Sequence, residues 1–489
     1  MRIDDETCYR ALVARDARFD GLFFVGVTST GIYCRPICTA RTVGRARCRF
    51  FSNSALAERQ GFRPCLRCRP ELAPGHAPVD AVSRAARAAA RRIEGGALNN
   101  GGSLERLALD LGLGPRQLRR VVQREFGVSP IELAQTQRLL LAKQLLTESN
   151  LPITQVAFAS GFQSVRRFNA LFRSHYRLTP SRMRRASAMS EAHDCIKLSL
   201  AYRPPLAWAT LMRFFAARST AGVEAVVDDS YSRTVAVGGH QGWLRVKPTV
   251  GRHTLSVELA TSLMPCLPEV LARLKNLFDL SARPDVIAAH LSVDSRLAHV
   301  VARCPGVRVP GAFDGFELAI RAILGQRISV RAATTLAGRL ADRFGAPLET
   351  PVPALTRLSP APVALASVAL PDLTTLGITP PRAASIQAIA RATALREIDL
   401  EPGLDPEAVI GKLQLLPGVG DWTAQYIAMR ALRWPNAFPA GDLGLLKAWG
   451  GTSVQVLREA SQAWRPWRAY AAIYLWESQH ISNLENDDD

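Results

Sequence analysis

A multidomain, mainly α chain follows from three observations. Its 489 residues exceed what one hydrophobic core organises and fit three or four domains. Apolar residues spaced i, i+3, i+4 and i+7, as in Leu104, Leu107, Ala108 and Leu111, mark amphipathic helices. The alternation that marks a strand is clearest at Ile196-Lys-Leu-Ser-Leu-Ala-Tyr202. The expected order is a small α/β domain at 1–76, an all-α domain at 77–190, an α+β domain with an antiparallel sheet at 191–300, and an all-α domain at 301–489.

Charge narrows the class of partner. The net charge is +19, and residues 1–190 hold 31 Lys and Arg against 14 Asp and Glu, whereas the remainder holds 30 against 28. An excess confined to the N-terminal two-fifths, and dominated by arginine, is the footprint of a polyanion binder. An evenly arginine-rich composition would have spread it. No run of 18 apolar residues offers a membrane span, and the charged start MRIDDETCYR lacks the apolar stretch of a signal peptide. A cytoplasmic chain is expected, with its nine cysteines reduced or metal-bound rather than paired in disulfides.

In residues 1–76, Cys34-Arg-Pro-Ile-Cys38 and Cys65-Leu-Arg-Cys68 form two thiol pairs. Four thiolates from two such knuckles satisfy tetrahedral Zn²⁺, so Cys34, Cys38, Cys65 and Cys68 are the expected ligands of one ion. Cys8, Cys48 and His76 are weaker candidates because none sits in a pair. The surrounding Phe23-Phe-Val-Gly-Val-Thr-Ser-Thr-Gly-Ile-Tyr-Cys34-Arg-Pro36 and Gly61-Phe-Arg-Pro-Cys65 resemble the zinc domain of the adaptive-response Ada family. The resemblance implies that Cys34, first in its motif, accepts a methyl group from a DNA methylphosphotriester. A purely structural zinc site is the plainer alternative.

In residues 77–190, helices are expected from Arg84 to Ile93 and, beyond a Gly/Asn loop, after the cap Ser103. Gly112 turns into a helix that buries Leu118, Val121, Val122 and Phe126 and exposes Arg116, Arg119 and Arg120. A second unit repeats this: Ile153, Val156 and Ala157 precede Gly161, then Phe168, Leu171 and Phe172 with Arg166 and Arg167 on the polar side. Basic residues on the second helix of each unit read as recognition helices for DNA. Two units joined by a long helix near Ile131–Leu146 resemble the AraC-type activator domain. That resemblance implies operator DNA and RNA polymerase as partners.

Ala186–Asp194, small and polar, is the expected linker. Beyond it, strands are expected at 196–202, 234–237, 243–247 and 254–259, with helices near 208–218 and 267–278. This stretch carries no chemistry of its own and reads as scaffold. Tyr202-Arg-Pro-Pro-Leu-Ala-Trp208, Phe214-Phe-Ala-Ala-Arg218 and Arg252-His-Thr-Leu255 resemble the N-terminal domain of the AlkA alkylpurine glycosylases. The resemblance implies that Phe214 borders a base pocket.

Residues 301–489 hold Leu416-Pro-Gly-Val-Gly420, a tight turn between two helical patterns, followed by Asp442. Glycines 418 and 420 are expected to allow positive φ and close backbone approach. The turn opens a helix N-terminus suited to a DNA phosphate. A Gly-Pro turn between packed helices, with Asp442 as a mere cap, is the plainer reading. With Arg321-Ala-Ile-Leu-Gly-Gln-Arg327-Ile-Ser329, the pattern resembles the helix-hairpin-helix glycosylases of the AlkA type. The resemblance implies excision of alkylated bases, with Asp442 as the catalytic carboxylate and Trp422, Tyr426, Trp476 and Phe214 lining the cleft. It also puts Arg327 where a leucine or glutamine wedge would enter the duplex. Bifunctional relatives carry a Schiff-base lysine where Trp422 stands, so a monofunctional enzyme is implied. Electron-rich rings suit a cationic alkylated purine, and six of the eight tryptophans follow Pro417.

The chain therefore reads as a monomeric repair enzyme and regulator acting on double-stranded DNA. The alternatives are an activator whose glycosylase-like half only binds DNA, and a glycosylase whose zinc module is structural.

Overall fold

The computed structural model describes residues 3–75, 83–184, 195–403 and 405–487. The expected linker, His76 and the last two acidic residues of the tail lie outside them. The chain forms two compact units, Met1–Pro204 with Ala236–Lys275, and Pro205–Val235 with Asn276–Asp489. The scaffold expected at 191–300 is thus shared between both.

The first unit begins with helix Asp5–Ala14, capped by Asp4, and a four-stranded sheet. Its strands are β1 (Phe24–Val27), β2 (Ile32–Cys34), β3 (Cys48–Phe51) and β4 (Arg63–Pro64), in the order β3-β1-β2-β4. One apolar cluster holds Cys8, Leu12, Phe23, Val25 and Cys48. Burial pushes the Cys8 thiol up to about 12, so Cys8 and Cys48 are core residues, not ligands. The other cluster packs Phe24, Tyr33, Phe51 and Phe62.

Both helix-turn-helix units form as their apolar spacing predicts. Leu104–Asp110 precedes Pro115–Phe126, and Ile153–Ala159 precedes Val165–Tyr176. Leu118, Val122, Phe168 and Phe172 are completely buried. The linking helix Pro130–Glu148 starts with a Ser129–Glu132 capping box and runs slightly longer than expected.

Polar bridges fasten the zinc module to these helices. Asn53 Nδ2 donates to Phe126 O at 2.8 Å. The buried Glu58 carboxylate accepts from Tyr33 Oη and Thr136 Oγ1, each at 2.9 Å. Lys143 and Glu71 form an ion pair with 1% of either side chain exposed. Ser199 N donates to Glu148 at 3.0 Å, and the completely buried Arg203 donates to the carbonyls of Asp20 and Gly75. A charge held this far from water survives only because each partner satisfies the other.

Five further strands follow: β5 (Cys195–Ala201), β6 (Glu224–Val227), β7 (Ser230–Val237), β8 (His240–Pro248) and β9 (Thr254–Ala260). In the first unit β9 pairs antiparallel with β5 (Leu198↔Val257) and β8 (Val246↔Val257). In the second, β6 and the start of β7 form a hairpin with Glu224 opposite Arg233. β6 and the helices Pro284–Leu291 and Ser295–Arg303 have no counterpart in the sequence reading. The last of these spans residue 300, so a domain border there would cut a helix.

The second unit is otherwise helical and built around Gly315–Leu324, a helix with nearly every residue buried. Its Glu317 and Arg321 meet Arg233 at 2.6 Å and Glu224 at 2.5 Å. These pairs lock the β6–β7 hairpin onto the core helix. Among the described residues no helix is long and apolar enough to cross a membrane.

Candidate active site and metal centre

The parallel pairing of β2 with β4 sets Ile32 against Arg63 and Tyr33 against Pro64. The next residues on each strand are Cys34 and Cys65, so strand register alone brings the two thiol pairs together. The sulfurs of Cys34, Cys38, Cys65 and Cys68 all lie within 4.8 Å of one another. A tetrahedron with metal–sulfur bonds of about 2.3 Å has edges of roughly 3.8 Å, so the donor set fits one Zn²⁺. Hydrogen bonding among the crowded sulfurs drives the Cys34 thiol well above its ordinary range and the Cys65 thiol well below it. Four thiolates need a cation between them to coexist.

Two residues beside this centre escaped the sequence reading. The Arg35 N–H donates to Cys68 Sγ at 3.3 Å, and its guanidinium bonds the Cys68 carbonyl at 3.2 Å. That guanidinium is buried in an ion pair with Asp20. Cys34 itself is 8% exposed, and Cys68 is the most open of the four.

Arg116, Arg119 and Arg120, like Arg166 and Arg167, are exposed on the second helix of their units. The aromatic core holds the opposite face, which leaves these guanidiniums free of the packing.

In the second unit, helices Pro406–Gln414 and Asp421–Arg430 flank the Leu416–Gly420 turn. The two glycines differ, which corrects the expectation. Gly418 has φ 72°, and a Cβ there would collide with Ser385 Oγ. Gly420 is extended, has nothing within 4 Å of a would-be Cβ, and caps the second helix without a side-chain bond. It leaves the N-terminus of the second helix free of any side-chain cap.

Asp442 caps the short helix Leu443–Ala448, accepting from Leu445 N at 3.1 Å. The plain cap reading is therefore true but incomplete. The same carboxylate accepts Trp422 Nε1 at Oδ2 and Trp476 Nε1 at Oδ1, both at 3.0 Å. Two indoles from helices Asp421–Arg430 and Arg468–Asp487 thus grip the carboxylate from opposite oxygens. Asp421, the nearest carboxylate before it in the sequence, pairs instead with Arg458 at 3.0 Å.

The rings expected around the cleft do converge. Trp422 stacks on Tyr426 with centroids 5.4 Å apart, Tyr426 lies 6.5 Å from Trp476, and Phe214 lies 6.4 Å from Trp476. Their faces are not vacant. Arg218 sits 3.9 Å over Phe214, and Arg430 lies 4.8 Å from Phe214 and 5.4 Å from Tyr426. Arg430 also donates to Tyr426 Oη at 2.7 Å. Burial would raise the Tyr426 hydroxyl, but Arg430, Arg218 and Arg321 outweigh it and lower its pKa. Sequence spacing signals only two of these contacts, Arg218 four residues after Phe214 and Arg430 four residues after Tyr426; that Arg430 also covers Phe214 is set by packing.

Arg327 is exposed on the loop after the core helix. Gln326 Nε2 ties that loop to Gly418 O at 2.8 Å and Thr423 Oγ1 at 2.9 Å. Trp464 and Trp467 are core residues, as expected.

A four-cysteine metal centre, paired helix-turn-helix units and a helix-hairpin-helix unit bearing a gripped aspartate define a protein that combines a metal-binding and helix-turn-helix module with a helix-hairpin-helix fold. Comparison with known proteins resolves this further. Residues 7–71 match the metal-binding domain of Ada, 107–186 a helix-turn-helix domain, 197–314 the AlkA N-terminal domain, and 320–453 the HhH-GPD superfamily of base excision DNA repair proteins. The chain is 39% identical over 487 residues to a Mycobacterium tuberculosis protein described as "Probable bifunctional transcriptional activator/DNA repair enzyme AlkA", covering 97% of each. It therefore belongs to that family of fused Ada- and AlkA-type proteins. Over 58% of its length it is 34% identical to Escherichia coli DNA-3-methyladenine glycosylase 2, covering 97% of that protein. A 3-methyladenine DNA glycosylase from Archaeoglobus fulgidus shares the fold of 58% of the chain, with 98% of that protein covered, TM-score 0.51 and 23% identity.

Proposed function

We propose that the second unit excises alkylated purines from DNA and that the first accepts methyl groups from backbone methylphosphotriesters and converts them into stronger operator binding. The observation that carries the excision reading is the Asp442 carboxylate, held between Trp422 and Trp476 at an aromatic cleft.

An N-glycosidic bond is reached only when the nucleotide leaves the stack. The rings of Trp422, Tyr426, Trp476 and Phe214 then stack on the extruded base. As the bond breaks, C1′ gains positive charge, which the Asp442 carboxylate stabilises while orienting water. The two indole N–H bonds hold the carboxylate still, so little reorganisation is needed during reaction. Gly418 and Gly420 let the hairpin grip a phosphate, and Arg327 enters the gap. With tryptophan at position 422, no amine stands there to form a Schiff base, and simple hydrolysis follows.

Cys34, Cys38, Cys65 and Cys68 would hold one Zn²⁺, which would keep their sulfurs as thiolates and give the site a net −2 charge. Cys34 Sγ attacks the methyl carbon and forms an S–C bond, the bond from that carbon to the phosphotriester oxygen breaks, and its electron pair stays on that oxygen, which remains bonded to phosphorus as part of a phosphodiester. A thioether replaces a thiolate and the site becomes −1, so repulsion of DNA phosphate falls. Arg116, Arg119, Arg120, Arg166 and Arg167 supply the operator and phosphate contacts, with RNA polymerase recruited by the monomeric, cytoplasmic activator.

Release of methylated purine from alkylated duplex tests the first part. Asp442→Asn is expected to lose at least about 100-fold; equal release by both proteins overturns the role of Asp442. Mass spectrometry after incubation with methylated DNA tests the second. A methyl group on Cys34 is expected, and an unmodified Cys34 with zinc still bound overturns it.

A further inference from the structure

Arg327 is the tip of the loop joining helix Gly315–Leu324 to helix Val330–Phe344. Its φ is 53°, in the left-handed region that is unfavourable for a non-glycine residue. The surroundings impose that conformation. Arg382 donates to Gln326 O, Gln326 reaches Gly418 O and Thr423 Oγ1, and Ser329 accepts from Ala332 N at 3.2 Å to cap the next helix. Gln326 and Ser329 are pinned while Arg327 is exposed, and among the described residues its guanidinium has no hydrogen-bond or ion-pair partner. Strain kept at an exposed tip beside a nucleic-acid-binding turn aims a side chain rather than packing it.

We propose that Arg327 reads the base left without its partner on the opposite strand, and that it favours cytosine. This rests on the base-excision reading and adds a second specificity to it, one directed at the undamaged strand. Extruding a nucleotide leaves the opposite base with its Watson–Crick edge bare. The guanidinium carries paired N–H donors in a planar fork that matches two adjacent acceptors. Cytosine presents such a pair in N3 and O2. Thymine interrupts its two carbonyls with N3–H, and adenine sets a donor beside its one acceptor. Guanine's adjacent acceptors O6 and N7 lie on the major-groove edge. An aliphatic side chain at this tip would fill the gap without distinguishing these bases.

The test uses the full chain and duplexes bearing a tetrahydrofuran abasic-site analogue opposite C, T, A or G, with excess undamaged duplex as competitor. Single-turnover release of one methylated purine placed opposite each base is measured in parallel. Binding opposite cytosine is expected to be about 10-fold tighter than opposite thymine or adenine. Arg327→Lys keeps the charge but not the fork and is expected to lose the preference for cytosine, and Arg327→Asn, whose side chain tolerates the left-handed backbone, is expected to lose it too. Equal wild-type affinity for all four duplexes, or a cytosine preference that survives in Arg327→Lys, overturns the proposal while leaving excision intact. Absence of methylated-purine release from every duplex removes the excision reading, and this inference with it.

Discussion

The zinc centre and the aromatic cleft, the two sites to which we assign chemistry on DNA, are assembled by different means. The zinc ligands come from two short knuckles, and one parallel strand pairing, β2 with β4, sets them face to face. The cleft draws Phe214, Trp422, Asp442 and Trp476 from four separate helices or their caps. The first site depends on local sequence plus one ion. The second depends on the packing of a whole unit. Placed in separate compact units, the two should fail separately.

Removing zinc offers the largest break. Structural zinc contributes about 10–16 kcal/mol in small metal-dependent domains. Cys65→Ser is therefore expected to abolish zinc binding and broaden or lose the unfolding transition of the first unit, with purine release within about threefold of wild type. Loss of release in parallel with zinc would show that the two sites are not independent. The converse is a change at the carboxylate grip. Trp422→Phe keeps the ring but deletes one N–H bond to a charged group, worth about 1.5–3 kcal/mol. Release should fall at least about 10-fold while zinc content and methyl acceptance stay unchanged; an unchanged single-turnover rate would count against the grip.

A third change sharpens the boundary inside the first unit. Lys143→Met leaves Glu71 buried with Arg69 as its remaining cation, and stranding part of a buried pair costs roughly 1–3 kcal/mol. Calorimetry should show the first transition lowered by several degrees and the second unmoved. The smallest effect concerns charge in the cleft. Arg218→Gln removes a cation 3.9 Å from the Phe214 ring. Release of a cationic methylpurine should rise about threefold relative to a neutral lesion, since like charge no longer opposes it. An unchanged ratio would mean that Arg218 is screened from the base.

Much of this was readable from sequence because it is encoded locally. Paired cysteines, the i, i+3, i+4 apolar rows of both helix-turn-helix units and the Leu416–Gly420 turn each specify a structure within a few residues. The four cysteines and the exposed arginines of the helix-turn-helix units stand where motif spacing put them, and the rings converge as the family resemblance implied. What sequence reading missed is non-local. Asp20 meets Arg35 across 15 residues, and Arg430 reaches the carbonyls of Pro310 and Gly311 across about 120. The grip on Asp442 by two indoles joins residues 20 and 34 positions away. The split of the scaffold between two units was likewise hidden, because β5 and β9 read as ordinary strands whichever body they join.

The sequence by itself determined the modules and their order, the zinc ligands, the hairpin and the aspartate that follows it, because each is a short pattern with one stable local geometry. Only the tertiary structure decided the state of those parts. It showed that the aspartate is gripped by Trp422 and Trp476, that arginines already lie over the Phe214 and Tyr426 rings, and that Arg327 is held in a strained, outward pose. The physical reason is that hydrogen-bond geometry and charge proximity depend on atoms brought together by packing, and no spacing along the chain encodes that distance.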